Sequence, residues 1–368
     1  MKIAIVCDWL LGTGGAERVV LELHKMYPEA PIYTSQFNPS PKLWHGGEWF
    51  KKADVRTTWL QKLPKGFKKF MPVLRAWTFS RLDLSDYDLV ISSSGAESKG
   101  INVGSNAVHI NYCHSPTHYY WMRYDDYLAN PGFGKLDFLA RAGLKLLVGP
   151  LRKWDYRAAQ KPNFIIANSN YTKAMIKKYY GREAVVIHPP VDISRFNLNS
   201  GKTRHGFVTA GRQTPYKKIN LAVEAFTTLG LPLLVLGRGP DHKRLKKIAG
   251  RNITFIKNPS DELVAEYFKT SEAFIFPGLD DFGIVAVEAL AAGTPLIAYR
   301  AGGALDYLNQ DNGIFFDYQG TDSLIKTVEK FDYKKFNHTK IEQSAEQFSP
   351  EKFQQAFKNF VSKLLPKN

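Results

Sequence analysis

From Ile3 to Cys7 the chain reads Ile-Ala-Ile-Val-Cys, apolar at every position. A strand of this kind hides both faces, whereas a strand with one wet face alternates apolar with polar residues. Similar runs return at Phe164–Ala167, Leu233–Leu236 and Ala273–Phe276, with stretches of helical spacing among them. Strands covered on both sides and alternating with helices predict an α/β architecture, parallel sheet between layers of helix.

The order of these runs divides the chain. In the first part, strands are expected at residues 2–8, 32–34, 89–92, 107–113 and 164–167, and helices at about 16–26 and 170–180, the latter closed by Gly181. After His188-Pro189-Pro190 the pattern restarts, with strands at 207–211, 233–236, 253–256, 273–276 and 295–298, a helix at 219–229 and a short apolar segment at 314–316. Phe353, Phe357, Phe360, Val361 and Leu364 then recur at helical spacing, which predicts an amphipathic helix over 350–365. Domains are therefore expected at 1–190 and 191–349, followed by a helix at 350–368. A length of 368 residues also exceeds the usual single core.

Composition excludes several classes. Two cysteines in apolar runs, Cys7 and Cys113, suit buried thiols in a reducing compartment better than a disulfide framework. The opening apolar run is too short for a signal peptide, so a cytoplasmic protein is expected. The best apolar stretch, 138–151, contains Arg141 and Lys145 and does not read as a membrane span. The formal charge of +16 is concentrated early: residues 1–190 hold 26 Lys and Arg against 15 Asp and Glu. Between 51 and 81, Lys51, Lys52, Arg56, Lys62, Lys65, Lys68, Lys69, Arg75 and Arg81 are interleaved with Trp49, Phe50, Trp59, Phe67, Phe70, Trp77 and Phe79. That segment reads either as a peripheral contact with an anionic membrane or as a solvated basic face over core aromatics.

The densest chemistry lies between Phe274 and Gly303, where an apolar strand ends in a turn carrying Asp280 and Asp281 and then enters an alanine-rich helix stopped by Gly293 and Pro295. The start of that helix offers backbone N–H groups and partial positive charge, so Phe282, Gly283 and Ile284 are candidates to cradle a phosphate or another anion. Asp280 and Glu288 supply carboxylates that accept from hydroxyls. Glycines at 12, 14 and 15 let backbone approach a ligand without side-chain obstruction, although the loop lacks the full dinucleotide fingerprint. The motifs all follow strand ends, where open α/β sheets collect ligands. No His/Cys cluster has zinc spacing, and no metal is expected.

Asp280, seven intervening residues and Glu288 resemble the acid signature of family 4 retaining glycosyltransferases. Further likenesses are Gly14-Gly15-Ala16-Glu17, Cys113-His114-Ser115-Pro116, Ala167-Asn168-Ser169, His188-Pro189-Pro190-Val191-Asp192, and Gly211-Arg212 followed by Lys217. The resemblance departs at the first acid, usually Glu and here Asp280, one methylene shorter. It implies two facing Rossmann-like domains (the GT-B fold) with the C-terminal helix returning to the first. The site it implies comprises Arg212 and Lys217 on a donor diphosphate, Glu288 on the ribose hydroxyls, and Asp280 and His114 near the donor sugar. Gly14, Gly15 and the segment Asp281-Phe282-Gly283-Ile284 complete it. The activity implied is retaining, metal-independent hexosyl transfer without a cofactor, from a nucleotide diphosphate sugar to a glycan or lipid-linked acceptor of the cell surface. GDP-mannose is the first expected donor and a UDP-sugar the alternative. A non-catalytic nucleotide-sugar module is the rival of another class. A nucleic-acid binder would explain the charge, but no nucleic acid partner is expected.

Overall fold

The computed structural model describes residues 1–12, 14–39, 49–63, 71–129, 137–196 and 203–364. They form two compact units, one of residues 1–190 with 354–368, the other of 191–353.

The first unit contains strands β1 (Ile3–Cys7), β2 (Ile32–Thr34), β3 (Val55–Thr57), β4 (Asp83–Leu84), β5 (Leu89–Ser94), β6 (Asn102–Val103), β7 (Val108–Cys113), β8 (Phe164–Ala167) and β9 (Val185–Val186). Its described helices are α1 (Gly15–Met26), α2 (Met71–Phe79), α3 (Tyr124–Ala129), α4 (Asp137–Gln160) and α5 (Asn170–Tyr180). Seven strands pair in parallel in the order β3-β2-β1-β5-β7-β8-β9, while β4 and β6 make a separate ribbon. Ala4, Ile5, Val6, Val90, Ile91 and Ile110 are fully buried, as doubly covered strands require. Cys7 and Cys113 are buried thiols.

The second unit contains β10 (Phe207–Ala210), β11 (Leu233–Leu236), β12 (Ile253–Ile256), β13 (Ala273–Phe276), β14 (Leu296–Tyr299) and β15 (Gly313–Phe316). Between and beyond them lie α6 (Ile219–Leu229), α7 (His242–Ile248), α8 (Asp261–Thr270), α9 (Ile284–Ala291), α10 (Thr321–Glu329) and α11 (His338–Ser344). All six strands are parallel, in the order β12-β11-β10-β13-β14-β15. Gly181 and Gly230 close α5 and α6 with φ of 65° and 69°, the left-handed end that glycine reaches without a Cβ penalty.

The last helix, α12 (Pro350–Leu364), passes from the second unit into the first at Gln354. Phe357 and Val361 are buried, Gln354 donates to Glu22 Oε2 at 2.6 Å, and Phe360 meets Phe164 edge-on at 6.0 Å. The expected residue 365 of this helix lies outside the described residues.

The basic segment at 51–81 requires correction. Arg75 is not a surface cation: it is 8% exposed, and its Nε donates to Glu97 Oε2 at 2.7 Å while its guanidinium lies 4.6 Å from the Trp9 ring centre. Phe50 and Phe79 are likewise core residues. Arg56 is paired with Asp54 at 2.7 Å. Trp59 and Trp77 are exposed, and Lys65, Phe67, Lys68, Lys69 and Phe70 lie outside the described residues.

Candidate functional site

In the second unit the chain starts at β10, moves outward through β11 and β12, then returns to β13 on the other flank of β10. The direction of winding reverses between β10 and β13, and a doubly wound sheet opens its ligand crevice beyond the carboxyl ends of such a strand pair. The loop after β10 carries Gly211, Arg212 and Lys217, and the loop after β13 carries Asp280 to Gly283. The ammonium of Lys217 is ion-paired with the carboxylate of Asp280, the two side chains 24% and 8% exposed. A Cβ on Gly278 would stand 2.8 Å from the Lys217 carbonyl oxygen, so only glycine lets these two loops approach as they do.

The turn into α9 is held from beneath. Gly283 adopts φ 92°, the Tyr307 hydroxyl donates to the Phe282 carbonyl at 2.9 Å, and the Gly303 N–H donates to the Asp280 carbonyl at 2.9 Å. These contacts fix the first turn of α9, whose N–H groups have no partners within the helix itself. At its other end Arg204, 6% exposed, donates to the carbonyls of Ala292 and Gly293 at 3.1 and 3.0 Å, and to Ser271 at the end of α8 at 2.8 Å. A cation at a helix C-terminus complements its dipole. Burial lowers the Arg204 pKa to about 10.

Glu288 lies one turn inside α9, its side chain 12% exposed, and Arg195 Nη2 pairs with its Oε1 at 2.9 Å. The same guanidinium reaches Asp261 at 2.7 Å and Asp192 at 3.4 Å. Arg195 thus ties the segment after the Pro189-Pro190 linker to the acid of α9. Arg212 is exposed and lines a cleft of about 940 Å³ with Gly237, Arg238, Lys243, Lys257 and Asn258, at the ends of β10, β11 and β12. Asp281 is half-buried beside the Lys217–Asp280 pair in sequence. Among the described residues, no three His, Cys, Asp or Glu side chains cluster as metal ligands.

In the first unit the winding reverses between β1 and β5. Asp8, directly after β1, accepts from the N–H groups of Gly95, Ala96 and Ser98 at 2.8, 2.9 and 2.7 Å, which pins the loop after β5. His114, after β7, pairs its Nε2 with Ser93 Oγ at 2.8 Å, and its carbonyl accepts from Asn168 Nδ2 at 2.9 Å. Gly14 caps α1 and Gly15 begins it; Thr13 of the same loop lies outside the described residues. Glu17, 8% exposed, turns back onto this loop: a Cβ on Gly14 would meet its Oε2 at 2.8 Å. Burial pushes the Glu17 carboxyl up to about 7; hydrogen bonds from its own and the Gly14 backbone oppose the rise and nearby Asp8 adds to it.

Apart from Glu288, one turn inside α9, each expected site residue therefore stands in a loop after a strand or at a helix start of its own unit. Lys217 and Asp280 are joined directly, with Arg212 five residues before Lys217 in the same loop. His114, Gly14 and Gly15 belong to the other unit. Sequence reasoning missed Arg195, Asp8 and the bracing role of Glu17. A lone arginine after a linker carries no spacing signal, whereas Asp8 at the end of an apolar strand and Glu17 at a helix N-terminus were legible.

Doubly wound parallel units with charged residues at the strand ends define an α/β protein of two Rossmann-like halves. Residues 190–348 match the family model for glycosyl transferases group 1, and residues 13–195 match that for glycosyltransferase family 4. The chain belongs to this glycosyltransferase family. It is 27% identical over 173 residues to a phosphatidyl-myo-inositol mannosyltransferase of Mycobacterium leprae, covering 42% of this chain and 44% of that protein. It is 26% identical over 144 residues to an uncharacterised glycosyltransferase of Methanocaldococcus jannaschii, covering 38% and 40%. The chain thus aligns with well under half the length of these curated relatives. Among solved structures, Anabaena HepE in complex with UDP-glucose superposes with a TM-score of 0.69 at 16% identity, over 99% of this chain and 100% of that one. The fold is GT-B.

Proposed function

We propose that the chain transfers a hexosyl group from a nucleotide diphosphate sugar to a hydroxyl of a glycan or lipid-linked acceptor, with retention of configuration. The observation that carries this reading is the Lys217–Asp280 pair at the switch point of the second unit, with Arg212 of the same loop lining a cation-bearing cleft at the ends of β10, β11 and β12. Cleavage of the donor leaves negative charge on the diphosphate. Fixed cations stabilise that charge without having to reorganise during the reaction. Arg212 and Lys217 supply them, and the first-turn amides of α9 add a third source. Lys217 exchanges Asp280 for phosphate as the donor enters, which turns Asp280 toward the sugar hydroxyls. Glu288, held by Arg195, accepts from the ribose hydroxyls and orients the donor. By the family resemblance, His114, Gly14 and Gly15 are assigned to the donor sugar and phosphates. Asp281 assists Asp280, and no metal or cofactor takes part.

Mannose from GDP-mannose is the first donor proposed, supported by likeness to a mannosyltransferase; the UDP-glucose held by the HepE neighbour favours a UDP-sugar as second choice. Such chemistry suits cell-surface polysaccharide or glycolipid assembly at the cytoplasmic face of a membrane. A donor panel assayed for nucleotide diphosphate release, repeated in chelator, tests the proposal. Release with one sugar nucleotide, undiminished by chelator and giving a product of retained anomeric configuration by NMR, is expected. No release from any donor would refute catalysis, and activity restored only by a divalent ion would refute metal independence.

A further inference from the structure

Helix α4 is two different objects joined at Pro150. From Leu151 onward it is anchored: Trp154 Nε1 donates to Ser80 Oγ at 2.8 Å, and Asp155 is buried against Lys99 at 2.6 Å. Before Pro150 none of its residues is buried. Phe138, Leu139, Leu146 and Leu147 are 63, 56, 77 and 39% exposed. Leu139 and Leu146, seven positions apart, fall almost above one another on a helix, with Phe138 and Leu147 on either side of them. Lys145 edges that face and the exposed Lys153 continues it, while Arg141 turns away and donates to the Leu128 and Ala129 carbonyls at 3.1 Å each; residues 137–154 hold Arg141, Lys145, Arg152 and Lys153 against the single acid Asp137. Pro150 donates no N–H to the ladder, which separates the exposed half from the packed half.

We infer that this half of α4 docks in the plane of an anionic lipid surface. Its apolar side chains enter the acyl boundary while Lys145, and the exposed Lys153 just beyond Pro150, meet lipid phosphates. It is too short and too charged to cross, and no described helix is long and apolar enough to span a membrane. Charge selects lipid over a second copy of the chain, since two such helices packed together would bring four cations from each against the one acid each carries, Asp137. The neighbouring surface agrees: α2 packs on the same Ser98–Gly100 turn as α4 and carries Trp77, 50% exposed with Arg81 stacked at 4.1 Å, a pairing suited to the headgroup layer. The inference does not depend on the proposed reaction.

Flotation of the full chain with phosphatidylcholine vesicles, with and without phosphatidylglycerol, tests it. Wild type should bind only the anionic vesicles and release at high salt. Leu139→Glu with Leu146→Glu, at exposed positions that leave the fold intact by circular dichroism, should weaken binding by at least about tenfold. Lys145→Gln with Lys153→Gln, which leaves the apolar face untouched, should weaken it by a similar factor. Lys51→Gln with Lys52→Gln should have the smaller effect. Absent wild-type binding, equal binding to neutral vesicles, or unchanged binding by both α4 variants would overturn the inference. So would loss of self-association in sedimentation velocity without loss of vesicle binding, which would identify a second copy as the occupant.

Discussion

Replacing Glu17 by glutamine should stabilise the first unit at alkaline pH and leave it unchanged at acid pH. The folded chain holds the Glu17 proton up to about pH 7, whereas an unfolded glutamate releases it near its ordinary 4.5. Between those values the folded state binds more protons than the unfolded state, so stability falls as pH rises through the interval. Below 4.5 both states are protonated and no penalty exists. Above 7 the full penalty is reached, roughly 3 kcal/mol at about 1.4 kcal/mol per pH unit. The side-chain amide of the Glu17→Gln variant would carry no charge to desolvate and keeps an oxygen to accept from the Gly14 backbone. A gain of that size corresponds to about 6–12 °C in Tm for a unit of this length. All 7 tryptophans lie in residues 1–190, so fluorescence-monitored melting reports on this unit alone. A variant no more stable than wild type at pH 8, or one stabilised equally at pH 5, would refute the reasoning.

Three further substitutions separate the roles assigned above. Arg75→Met should lower the first unit's stability by about 3–5 kcal/mol, because it strands the fully buried Glu97, and adding Glu97→Gln should recover most of the loss in thermal melts. Arg195→Ala should raise the KM for donor by about tenfold or more with a smaller change in kcat, as expected for a positioning residue, while Arg195→Lys should lie between. A donor lacking the ribose 2′-hydroxyl should show a smaller penalty in Arg195→Ala. Gly283→Ala should cost about 2–4 kcal/mol and reduce turnover, since φ 92° disfavours a Cβ that would also sit 2.7 Å from both the Phe276 ring and the Tyr307 hydroxyl. An alanine variant with wild-type melting and turnover would refute the claim that this glycine sets the start of α9.

Strands hidden on both faces were legible almost to the residue. Phe164–Ala167, Leu233–Leu236 and Ala273–Phe276 stand where the apolar runs place them, because burial on two sides leaves no polar position to blur the ends. Helices closed by a left-handed glycine, such as α5 and α6, were equally plain. The long helix α4 was not, since its first half buries no residue and its apolar residues follow no inward stripe. The family resemblance named Lys217, Asp280 and Glu288, but residue type alone could not show that Lys217 pairs with Asp280 or Glu288 with Arg195. Those partners stand 63 and 93 positions apart and meet only after the crossovers are made. The switch points were hidden for the same reason: strand order depends on which flank of β1 or β10 each crossover takes, and no local pattern records it. Arg75 misled because a cation among aromatics looks like a surface, while its acid partner Glu97 lies 22 residues on.

The central claim, that the crevice between β10 and β13 grips a nucleotide sugar, is tested most directly by calorimetric titration of nucleoside diphosphates into wild type, Arg212→Ala and Glu288→Gln. One nucleoside diphosphate should bind wild type at a single site and lose at least about tenfold in affinity in each variant, with unchanged melting for the exposed Arg212→Ala. Equal affinity in all three proteins would place the nucleotide elsewhere and contradict the account.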